Sequence, residues 1–435
     1  MVAIEVVKSE LVFPSEETPK HRLWISNTDI MFATKLPTPM IYVYHPNGDP
    51  DFFNVEMLKA GLSKALVPFY PLAGRLAKDR DGRLEVDCGR QGVLVVVARS
   101  DSGIDDFGEF LPSPELCRML TPSIPSEDPD ILFMTQVTFF KGGEVILGTV
   151  WCHVIGDGLS AMNFISTWSR ITRGVVSNLD IHPLHDRTLL RARSPPKVLF
   201  NHVGNQLPAC AATTTGPSAT SILPLTKSQL ALLTTNNKIS TFCAISAHVW
   251  KCVSIARGLA RDQAVQLKFV VNVRRRMKPP LPDDYFGNAV CRMVVVSTAD
   301  DVLSNPIEVV GNKIRDEIRK VDEEYVRSFI DHFEMSPTKG AKPPASSAKF
   351  SLTPTMADFA MASWIGMPIY DADFGWGKPE IVRIAAITDG QYAYIMEIPK
   401  GGGVLVLVSL EEENMERFKE GFYEGLNMHG TIRTD

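Results

Sequence analysis

The 435-residue sequence has no strong excess of either charge, no CxxC pair and no long apolar run. Lys and Arg total 45 against 50 Asp and Glu, giving a net charge of −5 with no basic block. It therefore lacks the footprint that neutralises nucleic-acid phosphates or holds a protein to an anionic membrane. Nothing reaches the roughly 18 consecutive apolar residues of a spanning helix, and MVAIEVVKSELVFP at the N-terminus lacks the basic and long apolar regions of a signal peptide. The seven cysteines (88, 117, 152, 210, 243, 252 and 291) are an odd number without paired His/Cys spacing. That argues against a zinc knuckle or a disulfide framework, so a reducing, cytosolic setting and no bound metal are expected. A nucleophilic-serine hydrolase would need a GxSxG elbow, which is missing. Asp373, Phe374 and Gly375 spell the DFG of kinases, but no HRD loop or glycine-rich phosphate loop precedes them.

What remains is an ordinary globular composition, 45% hydrophobic and 22% charged, in a chain too long for one core, so two or three domains are expected. The N-terminal stretch alternates like a strand, and NVEMLKAGLSKAL (54–66) has the apolar spacing of a helix with one buried face. RLEVDC, GVLVVVA and the pair ILFMTQVTFF and VILGTVWC read as strands, the last pair as a hairpin. The second arm of that hairpin is nearly all apolar, as a central strand buried on both faces would be. LSAMNFISTWSRIT (159–172) returns to helical spacing. Regular patterning fades from 174 to 224, which suits a surface crossover. Beyond it, Thr226 and Ser240 or Thr241 are candidate helix caps, and VQLKFVVNV (265–273) is a strand. A long polar helix over 306–333, a loop at 336–349, strands near 381–388, 391–398 and 404–410 and a last charged helix follow. The fold class is α/β with mixed sheets in two comparable domains.

A histidine followed four residues on by aspartate occurs three times: His45 with Asp49, His153 with Asp157, and His182 with Asp186. His45 sits among turn formers and His182 in the Pro-rich crossover, so both are expected on surface loops. His153 differs, because an apolar strand delivers it to a defined edge and HVIGDG places two glycines beside it. It is either a satisfied histidine at a strand end or a general base titrating near neutral pH.

HVIGDG (153–158) and DFGWG (373–377), with YPLAGRL (70–76), DRTLLRAR (186–193), VRRRMKPPLP (273–282), YFGN (285–288) and MPIYDADFGWGKP (367–379) in the same order, resemble the plant BAHD family of CoA-dependent acyltransferases over effectively the whole chain. The resemblance implies two chloramphenicol-acetyltransferase-like domains, 1–190 and 226–435, joined by a crossover over 191–225. A strand near 380–400 would be available to the N-terminal sheet, and an active-site channel would lie between the domains. It also implies a cytoplasmic monomer without a resident cofactor, with acyl-CoA as co-substrate and a small molecule as acceptor. His153 would take the acceptor's proton as it attacks the thioester, and CoA thiolate would leave. Asp157 would be structural, paired with Arg274 or Arg276. Asp373 and Trp376 would support packing at the channel edge; alternatively, the Trp376 indole N–H would face the oxyanion.

RLWISNTD (22–29), LPTPMIYVYHP (36–46) and DADFGWGKP (371–379) are most similar to the hydroxycinnamoyl-CoA shikimate/quinate transferases, which implies an aromatic acyl donor. That branch grips the acceptor carboxylate with an arginine in SW-x-R-LP. Here the stretch is SWIGMP, with Gly366 in its place. Such a contact is worth about 1.5–3 kcal/mol, so its loss disfavours an acidic acceptor. Thr38 and Tyr42 match acceptor-side positions of that branch, but the acceptor-side Met40 stands where a small polar residue is usual. A larger, more apolar site suits an amine such as tryptamine, tyramine or a polyamine. With no evident acidic handle for a second amino group, an arylamine is favoured. The alternatives are a shikimate or quinate transferase using Arg383 or Lys378 as the cation, and a non-catalytic binding protein on the same scaffold.

Overall fold

The protein, seen in a computed structural model, is described at residues 2–33, 37–177, 180–202, 217–234, 238–335, 358–387, 390–399 and 401–426. Its first half supplies the strands β1 (Glu5–Val12), β2 (Arg22–Trp24), β3 (Thr38–Tyr44), β4 (Arg75–Lys78), β5 (Leu84–Asp87), β6 (Val93–Ser100), β7 (Phe133–Phe140) and β8 (Val145–Trp151). The second half adds β9 (Ser218–Leu225), β10 (Ala264–Asn272), β11 (Val290–Thr298), β12 (Asp358–Ser363), β13 (Ile381–Ile384), β14 (Tyr392–Glu397) and β15 (Val404–Glu411). They form one sheet in the order β1-β6-β7-β8-β3-β13, a second in the order β11-β10-β12-β14-β15-β9, and a small sheet β2-β5-β4. Both large sheets are mixed, with β6 parallel to β7, and β12 parallel to β10 and to β14.

β8 is buried at every position, as its unbroken apolar run requires of an inner strand. Beside it β3 alternates: Met40, Tyr42 and Tyr44 enter one core, while Ile41 and Val43 enter another on the opposite face. The helix Gly158–Thr172 lies in the first of these cores through Phe164, Ile165 and Trp168. Full burial of a side chain such as Phe164 is worth about 1.5–3 kcal/mol. In the second half the helix Thr241–Ala256, capped by Ser240, packs between the helices Ile307–Arg319 and Glu412–Phe422.

Three features depart from the sequence expectations. The polar helix over 306–333 is two helices, Ile307–Arg319 and Glu323–Met335. The Asp322 carboxylate accepts the Tyr325 N–H at 2.8 Å and starts the second, a capping bond that competes with continuation of the first. The surface crossover ends sooner than the fading pattern suggests, since Ser218–Leu225 pairs with β15, and Arg187, Leu190 and His202 within it are buried. The strand expected over 381–388 is shorter, Ile381–Ile384; it pairs with β3 in the first sheet, the placement the family resemblance allowed for. The stretch 336–349 lies outside the described residues.

Candidate active site

After Trp151 the chain makes a short 3-10 turn, His153–Ile155, and Asp157 then caps the helix Gly158–Thr172, its Oδ1 accepting the Ser160 N–H at 3.0 Å. Gly156 is required between them. The Trp151 indole donates to its carbonyl at 2.8 Å, and a Cβ there would stand 2.9 Å from Ser160 Cβ and 3.3 Å from the Trp151 ring. The His153 imidazole lies flat on Phe32, centroids 3.9 Å apart and planes at 19°. Arg292 approaches the same phenyl ring, its guanidinium carbon 5.5 Å from the centroid, and donates to Met31 O at 3.3 Å.

Two buried ion pairs hold this loop. Arg274 grips Asp157 with two bonds, Nη1 to Oδ2 at 2.7 Å and Nη2 to Oδ1 at 3.0 Å, and Ala289 N–H adds a third donor at 3.0 Å. Burial would push the Asp157 carboxyl up, but the Arg274 charge and the donors from Arg274, Ser160 and Ala289 outweigh it and hold the group below its ordinary range. The second pair joins Asp29 and Arg187 at 3.0 Å with neither side chain exposed. Arg187 also donates to Ile155 O at 2.6 Å. Asn288 bridges the second pair to the histidine, donating from N and Nδ2 to Asp29 Oδ1 and from Nδ2 to His153 O at 2.9 Å. Backbone and side chain of His153 are thus fixed separately, the carbonyl by Asn288 and the ring by Phe32.

Among the candidate partners of Asp157, Arg274 makes the pair and Arg276 does not. The Arg276 guanidinium instead donates to the carbonyls of Ile318 and Val321, at 3.0 and 2.5 Å, where the helix Ile307–Arg319 ends. Tyr42 is also misplaced as an acceptor contact. It has no exposed surface, its hydroxyl points to Met162 Sδ at 3.8 Å, and burial drives its ionisation well above the usual range. Strand alternation turns it into the core with Met40, which is buried as well. Thr38 is half-buried opposite Trp151. His45 and His182 are exposed, and His45 pairs with Glu380 at 3.3 Å.

Asp373 organises its own motif: Oδ1 accepts the N–H groups of Gly375 and Gly377, and Oδ2 pairs with Arg173 at 2.9 Å. Phe374 packs edge-on to Trp168 in the helix that follows the His153 loop. Trp376 lies against Phe53, centroids 5.0 Å apart, and near Phe52. Gly366 occupies the turn after β12 with φ of +76°, a left-handed conformation that favours glycine. A Cβ there would meet no atom within 4 Å. The turn borders the His153 loop, because a Cβ on Gly158 would stand 3.5 Å from Met367 Sδ and 4.0 Å from the Trp364 indole nitrogen.

Phe32, Asp29, Arg187 and Asn288 were not identified as site residues from the sequence. The last three lie in RLWISNTD, DRTLLRAR and YFGN, stretches that carry the family resemblance but whose chain separation hides their meeting. Among the described residues no group of three His, Cys, Asp or Glu side chains is placed to hold a metal ion, and no helix is long and apolar enough to cross a membrane.

A family model described as the Transferase family matches residues 2–425. The chain is 41% identical to putrescine hydroxycinnamoyltransferase 1 of Oryza sativa subsp. japonica, covering 98% of this chain and 100% of that protein. It is 39% identical to shikimate O-hydroxycinnamoyltransferase of Nicotiana tabacum, covering 97% and 99%. Vinorine synthase shares the fold, with a TM-score of 0.74 at 24% identity over 95% of this chain and 96% of that one. So does F. graminearum TRI101 complexed with coenzyme A and T-2 mycotoxin, with a TM-score of 0.76 at 18% identity over 92% and 97%. With the HVIGDG loop clamped at the end of β8 and the match running from end to end, the chain belongs to the BAHD Transferase family and is an acyl-CoA-dependent acyltransferase.

Proposed function

We propose that the enzyme moves a hydroxycinnamoyl or benzoyl group from its CoA thioester to an amine, with His153 as general base. The observation that carries the choice of acceptor is the open space at Gly366, where the shikimate branch has its carboxylate-gripping arginine. Neither alternative cation is well suited to replace it. Lys378 is exposed and paired with Asp371 at 2.7 Å, and Arg383 bonds Val382 O and the Tyr370 hydroxyl. The first relative named above acts, by its name, on putrescine.

In the reaction the neutral amine nitrogen attacks the thioester carbonyl while His153 removes its proton. The carbon–sulfur bond then breaks and CoA thiolate leaves, taking a proton, which yields the amide and free CoA. A free alkylammonium resembles lysine with a pKa near ~10.4, so a base beside the attacking nitrogen is needed at neutral pH. Asp157, Arg274, Asp373 and Trp376 act by holding the loop and its surroundings rather than by touching substrate. We also infer a monomer in a reducing, cytoplasmic compartment, the latter in keeping with seven cysteines that show no paired spacing in the sequence.

The test is purified protein with coumaroyl-CoA and a panel of shikimate, quinate, tryptamine, tyramine, putrescine and agmatine. Turnover of amines above both acids is expected; shikimate turnover far above every amine overturns the assignment.

A further inference from the structure

Beside Gly366 stands a carboxylate that no sequence motif marks. Glu397 is the last residue of β14, and Trp364 N–H bonds Ile395 O at 2.8 Å, which seats the 364–368 turn against the end of that strand. The Gly366 N–H then donates to Glu397 Oε1 at 3.2 Å. The side chain is half-buried, and among the described residues no Lys or Arg pairs with it. A half-buried carboxylate with one amide donor has oxygen lone pairs left to accept from a cation. Gly366 is exposed and a Cβ there meets nothing within 4 Å, so the space next to it is open, and the same turn lies near the start of the helix after the His153 loop, where a Cβ on Gly158 would stand 3.5 Å from Met367 Sδ.

We propose that Glu397 docks the distal ammonium of the acceptor, so that the acceptor is a linear aliphatic diamine rather than an arylamine. This rests on the amine acceptor argued above. A free diamine carries two positive charges at neutral pH. Only the near nitrogen must become neutral to attack, and His153 serves that end. The far ammonium stays charged and is held by Glu397, with the Gly366 amide fixing the carboxylate. An arginine at position 366 would stand beside the same carboxylate and exclude a cation, whereas glycine leaves room for one.

The experiment compares putrescine with butylamine, which has the same four carbons and one nitrogen fewer, in the native enzyme and in Glu397→Gln, using coumaroyl-CoA. The native enzyme should favour putrescine in kcat/KM. Glu397→Gln should lower that value for putrescine roughly 10- to 100-fold, mostly through KM, and leave butylamine and tryptamine within about threefold. Retained butylamine turnover also shows that the variant is folded. Equal losses on all three amines, or no loss on putrescine, overturn the assignment of Glu397 while leaving an amine acceptor intact. If the native enzyme turns over shikimate and no amine, the amine acceptor falls, and the diamine site with it.

Discussion

The ring of Phe32 lies flat against the imidazole of His153, with centroids 3.9 Å apart and planes at 19°. A stacked aromatic contact of this kind is worth about 0.5–1.5 kcal/mol beyond the area it buries. It restrains the plane of the imidazole while Asn288 holds the carbonyl of the same residue. Phe32→Leu keeps the apolar volume and removes the flat face. We expect kcat to fall about 2- to 10-fold with KM for acyl-CoA unchanged, measured by steady-state kinetics across pH 6–9. His153→Ala should cost about 100- to 10,000-fold in kcat; an unchanged rate of CoA release would remove His153 from the mechanism.

The buried pair of Asp157 and Arg274 should dominate the stability of the loop. Asp157→Asn leaves the guanidinium without its counter-charge and should cost about 3–5 kcal/mol, read as a loss in urea unfolding free energy. Because the Asp157 carboxyl is held low in the folded protein, its contribution is fully present above the unfolded value near ~4 and is lost as the pH falls through the lower folded value. The native protein should therefore lose stability below about pH 4 more steeply than Asp157→Asn does, a difference visible in Tm measured between pH 3 and pH 7.

Gly366→Arg introduces the missing guanidinium directly beside Glu397. Two effects are expected: about 1 kcal/mol of destabilisation from a side chain at positive φ, and loss of diamine turnover as the arginine pairs with the carboxylate. Combining it with Glu397→Gln frees the guanidinium, so the double variant should use shikimate better than either single variant. Initial rates with both acceptors decide this.

Asp373 ties two backbone N–H groups and Arg173 together, partners that include neither Phe32 nor His153. Asp373→Ala should lower stability by about 1–3 kcal/mol, seen as a reduced Tm. At a temperature where the variant is folded, kcat should change by less than about threefold; a loss resembling that of His153→Ala would place Asp373 in the chemistry.

Much of the fold was legible because its signals are local. The unbroken apolar run of β8, the helical spacing of 159–172 and the caps at Thr226 and Ser240 each depend on a few consecutive residues. Where a nearby competitor intervened, the pattern misled. Asp322 divides one polar periodicity into two helices, and the fading pattern over 174–224 hides β9, which is specified by its pairing with β15. Tyr42 shows the limit of transferring a position by motif. It lies on β3, where alternation along the strand sends the side chain into the core.

The sequence by itself determined that an apolar strand ends in HVIGDG and that this loop, with DFGWG far along the chain, marks an acyltransferase. It also narrowed the partner of Asp157 to two arginines. Only the tertiary structure chose Arg274, brought Asp29, Arg187 and Asn288 behind His153, and set Phe32 on its ring. It also seated Glu397 beside Gly366, 31 residues earlier in the chain. These contacts join charges from separate strands and turns. Their partners are selected by burial, which forces each charged or polar group to find its complement wherever the packed sheets bring one within reach.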